Sequence, residues 1–205
     1  MENSKTSKKT LLLSILFSTP GPLILGIGLT AGQSSTQLAD FFRRSAELLA
    51  IICSFMVFCI TQRDNQNENS KVKLERASNI FVGFTMCVSA ITMFFLAIFK
   101  SNTDKGNVIG GFIIAFLGIV ANTLFSIKYY KINKETHNPI ISVQARLYKV
   151  KSIVDLCVVL ALAFIIIIPT SIITLIVDLV ASILVSIYLS YCGVKTIIEN
   201  KKTNF

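Results

Sequence analysis

Two pairs of oppositely charged residues lie inside long apolar stretches of this sequence. Arg43 and Glu47 stand in LADFFRRSAELLAIICSFMVF, and Lys151 and Asp155 stand in KVKSIVDLCVVLALAFIIII. Each pair has i,i+4 spacing, so its two members lie on one face of a helix. Ionisable groups are costly at membrane depth and usually mark a functional site there. The two pairs are therefore the first candidates for chemistry or transport.

The other residues with reactive side chains give weaker signals. Asp40 and Asp178 also lie in apolar stretches and join the candidate set. His137 is the single His, in the polar segment KINKETHNP, and we expect it to be solvated rather than bound to a metal. The five cysteines lie in apolar runs without a CxxC, so we expect buried thiols and no disulfide framework. No nucleophile–base set or Gly-rich phosphate loop is present in the sequence, so we do not expect an enzyme.

Composition places the chain among integral membrane proteins. Of its 205 residues, 53% are hydrophobic and 15% are charged, whereas soluble domains average about 25% charged residues. The net charge of +9 raises the question of nucleic-acid binding. The Lys and Arg residues lie mostly in short polar segments between apolar runs, which is the topology signal of a membrane protein. We therefore exclude nucleic acid as a partner and expect the lipid bilayer instead.

The apolar stretches predict an all-α protein with six transmembrane helices. A membrane-spanning helix needs about 20 mainly apolar residues. Six stretches meet this requirement, at approximately 10–30, 38–61, 77–99, 107–129, 150–168 and 171–193. We interpret the first as a retained helix kinked by Pro20 and Pro22 rather than as a signal peptide. Pro169 joins the last two stretches as a tight hairpin, and the polar segment 63–73 is predicted to be a mobile loop.

Basic residues concentrate in alternate connections between these stretches. They precede the first stretch, fill the segments between the second and third and between the fourth and fifth, and follow the sixth. The positive-inside rule then puts both termini in the cytoplasm of a multi-pass protein of the cell membrane. The predicted domains are an N-terminal tail at 1–9, a transmembrane domain at 10–193, and a C-terminal tail at 194–205 with no soluble domain.

Several segments in order resemble one transporter family. The segments are SSTQLADFFRRSAELLA, LERASNIFVGF, GIVANTLFS, LYKVKSIVDLCVV and IVDLVASILVSIYLSYCGVKTIIE. Over about residues 10–200 the chain resembles the transmembrane domain of the cation diffusion facilitator (cation efflux) family. Members of that family are six-helix, proton-coupled exporters of zinc and related divalent metals. The resemblance implies a bundle of the same kind, with a divalent cation and a proton as the transported species.

The resemblance also assigns positions to the charged residues. Asp40 matches the Asp that precedes the ligand pair of the second helix, Arg43 falls on the first ligand and Glu47 on the second. Lys151 falls on the His and Asp155 on the Asp of the fifth-helix pair. In addition, three residues are in register with family residues in the fourth and sixth helices: Asn122, Asp178 and Gly193.

Two of these residue types depart from the family pattern. Arg43 and Lys151 cannot bind a metal while they are protonated, and Arg is effectively always charged. Glu47 and Asp155 remain as the candidate metal ligands. The second and fifth helices run antiparallel, so if they are neighbours Arg43 lies level with Asp155, and Glu47 with Lys151. Lys151 is also close enough to the helix end to extend toward the membrane surface.

These observations leave several functions open. The charges are either paired for structure or gating without a metal, or they support residual cation transport through Glu47 and Asp155 aided by Asp40 or Asp178, or they serve another substrate whose exchange is driven by protonation. The protein is then a cation transporter, or a non-transporting subunit or regulator that partners a complete transporter. A third class is a small membrane protein of unrelated role, for which the second and fifth helices need not adjoin.

Small residues at four-residue spacing bear on oligomeric state. Gly28 and Gly32 form a GxxxG pattern, and Gly111 and Ala115 form a second small-xxx-small pattern. Such spacing permits close helix packing in lipid. We favour packing within one chain, with a homodimer as the alternative.

Overall fold

The computed structural model describes residues 2–31, 35–62, 67–99, 108–167 and 172–202. All regular secondary structure in those ranges is helical, which confirms the all-α prediction. The helices in chain order are α1 (Glu2–Ser18), α2 (Pro20–Ala31), α3 (Ser35–Thr61), α4 (Glu68–Phe99), α5 (Val108–Thr136), α6 (Pro139–Ile167) and α7 (Ile172–Lys202).

The outside of the bundle is apolar. Within the described ranges, three stretches are long and apolar enough to cross a membrane: Phe41–Thr61, Glu68–Phe95 and Ser182–Lys201. Large apolar side chains also remain exposed on other helices, for example Ile27 at 72% on α2 and Ile167 at 74% on α6. An exterior of this kind suits lipid rather than water. The remaining predicted spans coincide with α1–α2, α5 and α6, and the six-span arrangement stays a prediction.

The kink predicted in the first span is present as the junction between α1 and α2. Thr19 separates the two helices, and Pro20 is the first residue of α2. Pro20 and Pro22 have no backbone N–H, so the regular i→i−4 pattern is interrupted there. Thr19 is still hydrogen-bonded to both helices, with its N–H donated to Ile15 O (3.0 Å) and its carbonyl oxygen accepting from Leu23 N (3.4 Å).

The connection between α5 and α6 is much shorter than the hydropathy pattern predicts. It consists of His137 and Asn138. His137 adopts φ 49°, which ends α5 in the left-handed region. The Asn138 Oδ1 accepts hydrogen bonds from Ile140 N (3.0 Å) and Ile141 N (3.3 Å), and Pro139 is the first residue of α6. The sequence HNP is thus a left-handed residue, an N-cap and an N1 proline in succession.

Polar turns extend five helices past their predicted ends, including α1, which begins at Glu2, and α5, which continues to Thr136. α4 begins at Glu68, so the prediction of a loop at 63–73 is wrong from Glu68 onward. α6 begins at Pro139, and α7 continues to Lys202 through most of the predicted tail. Apolar windows detect only the part of a helix that lies in lipid, whereas backbone hydrogen bonding continues into water. The hairpin predicted at Pro169 lies outside the described residues.

Two closely packed helix pairs organise the bundle. α5 packs most extensively against α6, and α4 packs against α7. The second pair crosses at Gly83 and Gly193, where a Cβ on Gly83 would lie 2.9 Å from the Gly193 carbonyl oxygen. α3 contacts α1, α2 and α4, and it also adjoins α6. The contact between α3 and α6 is the arrangement expected for a transport site shared by the second and fifth spans, and it counts against the class in which these helices do not adjoin.

Candidate functional site

Glu47 lies near the middle of α3 and is 4% exposed. Its two carboxylate oxygens meet two different cations. Lys151 Nζ on α6 lies 3.3 Å from Oε2, and Arg43 Nη1, one turn earlier on α3, lies 3.5 Å from Oε1. A carboxylate buried to this degree must be neutralised, because an unpaired charge in a low-dielectric interior is very costly. The predicted pairing of Glu47 with Lys151 is present.

Lys151 is directed into the bundle rather than toward the membrane surface. Its side chain is 13% exposed, and Nζ also lies 5.1 Å from the centroid of the Tyr148 ring. An ammonium over an aromatic face gains a further electrostatic contact. The expectation that Lys151 extends to the surface is therefore wrong, because Glu47 and Tyr148 bind its ammonium group in the interior.

A hydroxyl network behind Lys151 fixes the position of Tyr148. The Tyr148 hydroxyl lies 3.0 Å from the hydroxyl of Ser18 on α1, and Tyr148 is 1% exposed. The neighbouring Tyr129 donates a hydrogen bond to Ser14 Oγ (2.7 Å), and the two tyrosine rings are 5.4 Å apart. α1 is thereby tied to α5 and α6 at the level of the ion pair. The sequence pattern did not single out these tyrosines, since aromatic residues are ordinary in apolar stretches.

Asp155 faces α5 instead of α3. It is 5% exposed, and its Oδ2 accepts a hydrogen bond of 2.6 Å from Asn122 Nδ2. A Cβ on Gly118 would lie 2.6 Å from the same oxygen, so the carboxylate rests directly on the backbone of α5. One turn away, the hydroxyls of Thr123 and Ser152 lie 2.6 Å apart and join the same two helices.

The predicted pairing of Arg43 with Asp155 is not realised. Within the described part of the chain, no ion pair joins Asp155 to Arg43 or to Lys151. The positive charges of Arg44, Arg43 and Lys151 still act on the Asp155 carboxylate from longer range. Gly118 leaves a space on α5 that Asp155 fills, and this space directs the carboxylate away from α3.

The remaining candidates are placed only by their helices. Asp40 belongs to α3 and Asp178 to α7, but their side chains lie outside the described part of the structure. Arg44 is half-buried, and its Cδ would lie 3.4 Å from a Cβ on Gly21, so it packs over α2.

Comparison with known families bears directly on this arrangement. The family model for the cation efflux transmembrane domain matches residues 11–203, which is nearly the whole chain. The chain belongs to the cation efflux family. The resemblance drawn from the sequence is thereby confirmed, and the apolar helices are those of a membrane protein from a family of cation transporters. No curated protein matches the chain.

In this cation efflux protein the two candidate ligands are held by different neighbours. Glu47 lies between α3 and α6, and Asp155 lies between α5 and α6. Among the described residues, no three His, Cys, Asp or Glu side chains come together. Zinc sites in proteins use three or four such ligands at about 2.0–2.3 Å from one ion. Binding zinc to Glu47 and Asp155 together requires both side chains to leave their present partners.

A second polar contact between α3 and α6 was missed in the sequence. Gln144 Nε2 on α6 donates a hydrogen bond of 2.9 Å to Ser54 Oγ on α3. Ser54 lies seven residues after Glu47, and Gln144 lies seven residues before Lys151, so both contacts follow one antiparallel register. The detectable signal is this common spacing: two polar residues two helical turns from the charged pair, within otherwise apolar stretches.

Proposed function

We propose that this member of the cation efflux family is a six-span protein of the cell membrane in which the protein's own cations neutralise the central acid. The observation that carries the proposal is the double contact of Glu47, with Lys151 on one carboxylate oxygen and Arg43 on the other. Both groups stand at positions where the family's sequence pattern has metal ligands. The ammonium of Lys151 thus takes the electrostatic role of the transported cation.

The geometry sets the order of events for any transported metal. A divalent ion reaches Glu47 only if Lys151 and Arg43 move away, and those cations then need new counter-charges. Asp155 is poorly placed to be that counter-charge, because it is bound to Asn122 on another face of α6. Zinc binding is therefore expected to be weak, and the protein is a degenerate relative of the zinc exporters.

A second function is favoured by the same contact. A protein with an internally neutralised site is suited to be a non-transporting subunit or regulator of a complete transporter, since it keeps the helix bundle without a free acid for cations. This alternative predicts copurification with a cation efflux protein and no cation flux by this chain alone.

The test is zinc binding and zinc flux in reconstituted vesicles. We expect no micromolar zinc binding by the wild type and a gain of both binding and flux in the double variant Arg43→His with Lys151→His, because imidazole replaces each cation with a zinc ligand. The matched control is Lys131→His with Lys149→His, two exposed lysines on α5 and α6. Micromolar zinc binding by the wild type that Glu47→Gln abolishes would contradict the proposal.

A further inference from the structure

A buried polar cluster links α3, α4 and α6 beyond the charged pair. The serine–glutamine cluster consists of Ser54, Ser78 and Gln144, which are 0%, 1% and 0% exposed. Ser54 Oγ accepts hydrogen bonds from Gln144 Nε2 (2.9 Å) and from Ser78 Oγ (3.2 Å). Two of the three helices in this cluster, α3 and α6, are those that meet at Glu47 and Lys151.

The cluster leaves polar atoms unsatisfied. Gln144 Oε1 is buried and has no hydrogen-bond partner within the described residues. The same holds for Asn79 Oδ1, one residue after Ser78, and for Arg76 Nε, one turn earlier on α4. Rotating the Gln144 carboxamide would pair its oxygen with Ser54 and leave its nitrogen unpaired instead. Buried polar atoms are almost always hydrogen-bonded, so the Gln144 oxygen indicates a ligand in the cluster.

The chemistry of the unsatisfied atom of the cluster limits that ligand. Gln144 Oε1 is a hydrogen-bond acceptor, so the ligand must be a donor. Water supplies two O–H donors and accepts two hydrogen bonds, and buried waters commonly bind such groups. A metal ion fits less well, because Ser54 Oγ already accepts two hydrogen bonds.

The position of the cluster gives the ligand a route. At one end of the bundle Arg146 binds Glu199 (2.8 Å), and Asn79 donates a hydrogen bond to Asn200 (2.9 Å). Arg146 and Glu199 are 27% and 47% exposed, so this end is open to solvent. Gln144 lies two residues before Arg146 on α6, nearer the start of that helix, and its side chain is fully buried. Beyond it the apolar side chains of Ile51 and Leu147, at 0% and 1% exposure, come before Glu47 and Lys151.

We propose that Gln144, with Ser54 and Ser78, lines a buried water-binding site that lies two helical turns from the Glu47–Lys151 pair. The site is reached from the end of the bundle formed by Arg146, Glu199 and Asn200. It is a second polar region between α3 and α6, separated from the charged pair by apolar side chains, and its existence does not depend on whether the protein transports a cation.

The test uses the full chain in lipid bilayers, with glutamine, isoleucine and serine isotopically labelled at their side-chain carbons. Transfer of water proton polarisation to carbon is measured by solid-state NMR, and the Gln144 signal is identified by its loss in Gln144→Met. We expect polarisation from water to build up several-fold faster at Gln144 than at Ile51, which is equally buried. Ser186 controls for relay through a buried hydroxyl, since its Oγ donates to Ile183 O of its own helix. Build-up at Gln144 no faster than at Ile51 and Ser186 would overturn the proposal.

Thermal unfolding gives an independent readout. Gln144→Met keeps the volume and removes the carboxamide, so we expect the unfolding temperature to fall because hydrogen bonds to Ser54 and to water are lost. Leu147→Met, also buried, measures the cost of repacking alone. A rise in the unfolding temperature of Gln144→Met above that of Leu147→Met would mean that the oxygen was truly unpaired, and the water site would be rejected.

Discussion

At the residue scale, Glu47 depends on both of its cations. Arg43 contacts it from the same helix, α3, and Lys151 contacts it from α6. The carboxylate therefore has one partner close in sequence and one distant in sequence. Coulombic attraction in the interior offsets the desolvation of the charges only while every partner is present. The pair between Lys195 and Glu199, at 4.0 Å and about half exposed, has no such dependence because water solvates both groups.

The ion pair can be tested with a double-mutant cycle. Glu47→Gln leaves two buried cations without an acid, and we expect it to lower the free energy of unfolding by about 3–5 kcal/mol. Adding Lys151→Met removes one of those cations, so the double variant should recover part of the loss, with a coupling of about 0.5–3 kcal/mol. The measurement is denaturant unfolding in detergent micelles, followed by circular dichroism.

The control is the matching cycle of Glu199→Gln and Lys195→Met, compared by its coupling because Glu199 also binds Arg146 (2.8 Å). The coupling between these exposed residues should be no more than about 1 kcal/mol. Equal couplings at the two pairs would show that the Glu47 contact is no more important than a surface pair.

Residue spacing in the sequence correctly predicted one buried contact of α6 and wrongly predicted another. The antiparallel register of the second and fifth spans predicts both Glu47–Lys151 and Arg43–Asp155. Only the first forms, because Gly118 and Asn122 on α5 accommodate the Asp155 carboxylate on a different face of α6. Spacing determines the helix face on which a side chain starts, whereas its final direction depends on neighbours that are distant in sequence.

At the element scale, the helices are longer than their apolar parts. The apolar runs located the spans well, since α3 ends at Thr61 and α4 ends at Phe99, as predicted. The ends that were missed are polar turns of α1, α4, α5, α6 and α7. Local signals for one of them are present in the sequence: Asn138 caps the first turn of α6 and Pro139 follows it. An apolar window cannot use such signals, because capping residues are polar.

The crossing of α4 and α7 provides an element-scale prediction. A methyl group at Gly83 would meet the Gly193 carbonyl oxygen at 2.9 Å and Ile197 Cγ1 at 2.8 Å, so Gly83→Ala must push the two helices apart. We expect a loss of stability of about 1–3 kcal/mol, as for overpacked cores. The measurement is the unfolding temperature of the purified protein.

Gly21→Ala is the matched control for Gly83→Ala. Among the described residues its methyl group would meet the flexible Arg44 side chain, at 3.4 Å, so its effect should be neutral or slightly stabilising in a helix. If Gly83→Ala were tolerated as well as Gly21→Ala, the close contact between α4 and α7 would not be required.

At the scale of the whole molecule, α6 connects the two halves of the bundle. It packs closely on α5 and also contacts α3, α4 and α7. The same helix carries Gln144, Arg146, Lys151 and Asp155, which bind residues on α3, α7, α3 and α5 respectively. Any change in the position of α6 would therefore alter both the central charge pair and the polar end of the bundle.

The topology of the molecule is open to a direct test. Six spans and the distribution of basic residues predict that both termini lie in the cytoplasm. Epitope tags at the two ends should be digested together by protease added to inside-out membrane vesicles. A tag inserted after residue 104, between the third and fourth spans, should be protected in the same vesicles. Digestion of only one terminal tag would contradict the six-span arrangement.

The position of Lys151 over Glu47 makes the protein its own competitor for cations. An ammonium group held 3.3 Å from the carboxylate by α6 is an intramolecular ligand, and such ligands act at effective concentrations on the order of millimolar even when the tether is flexible. A dissolved cation occupies Glu47 only when its concentration, weighted by its affinity for the carboxylate, exceeds the effective concentration of the Lys151 ammonium group. Because the pair is buried, added salt screens it little. The cation concentration needed to occupy Glu47 is therefore set by the length and position of the Lys151 side chain.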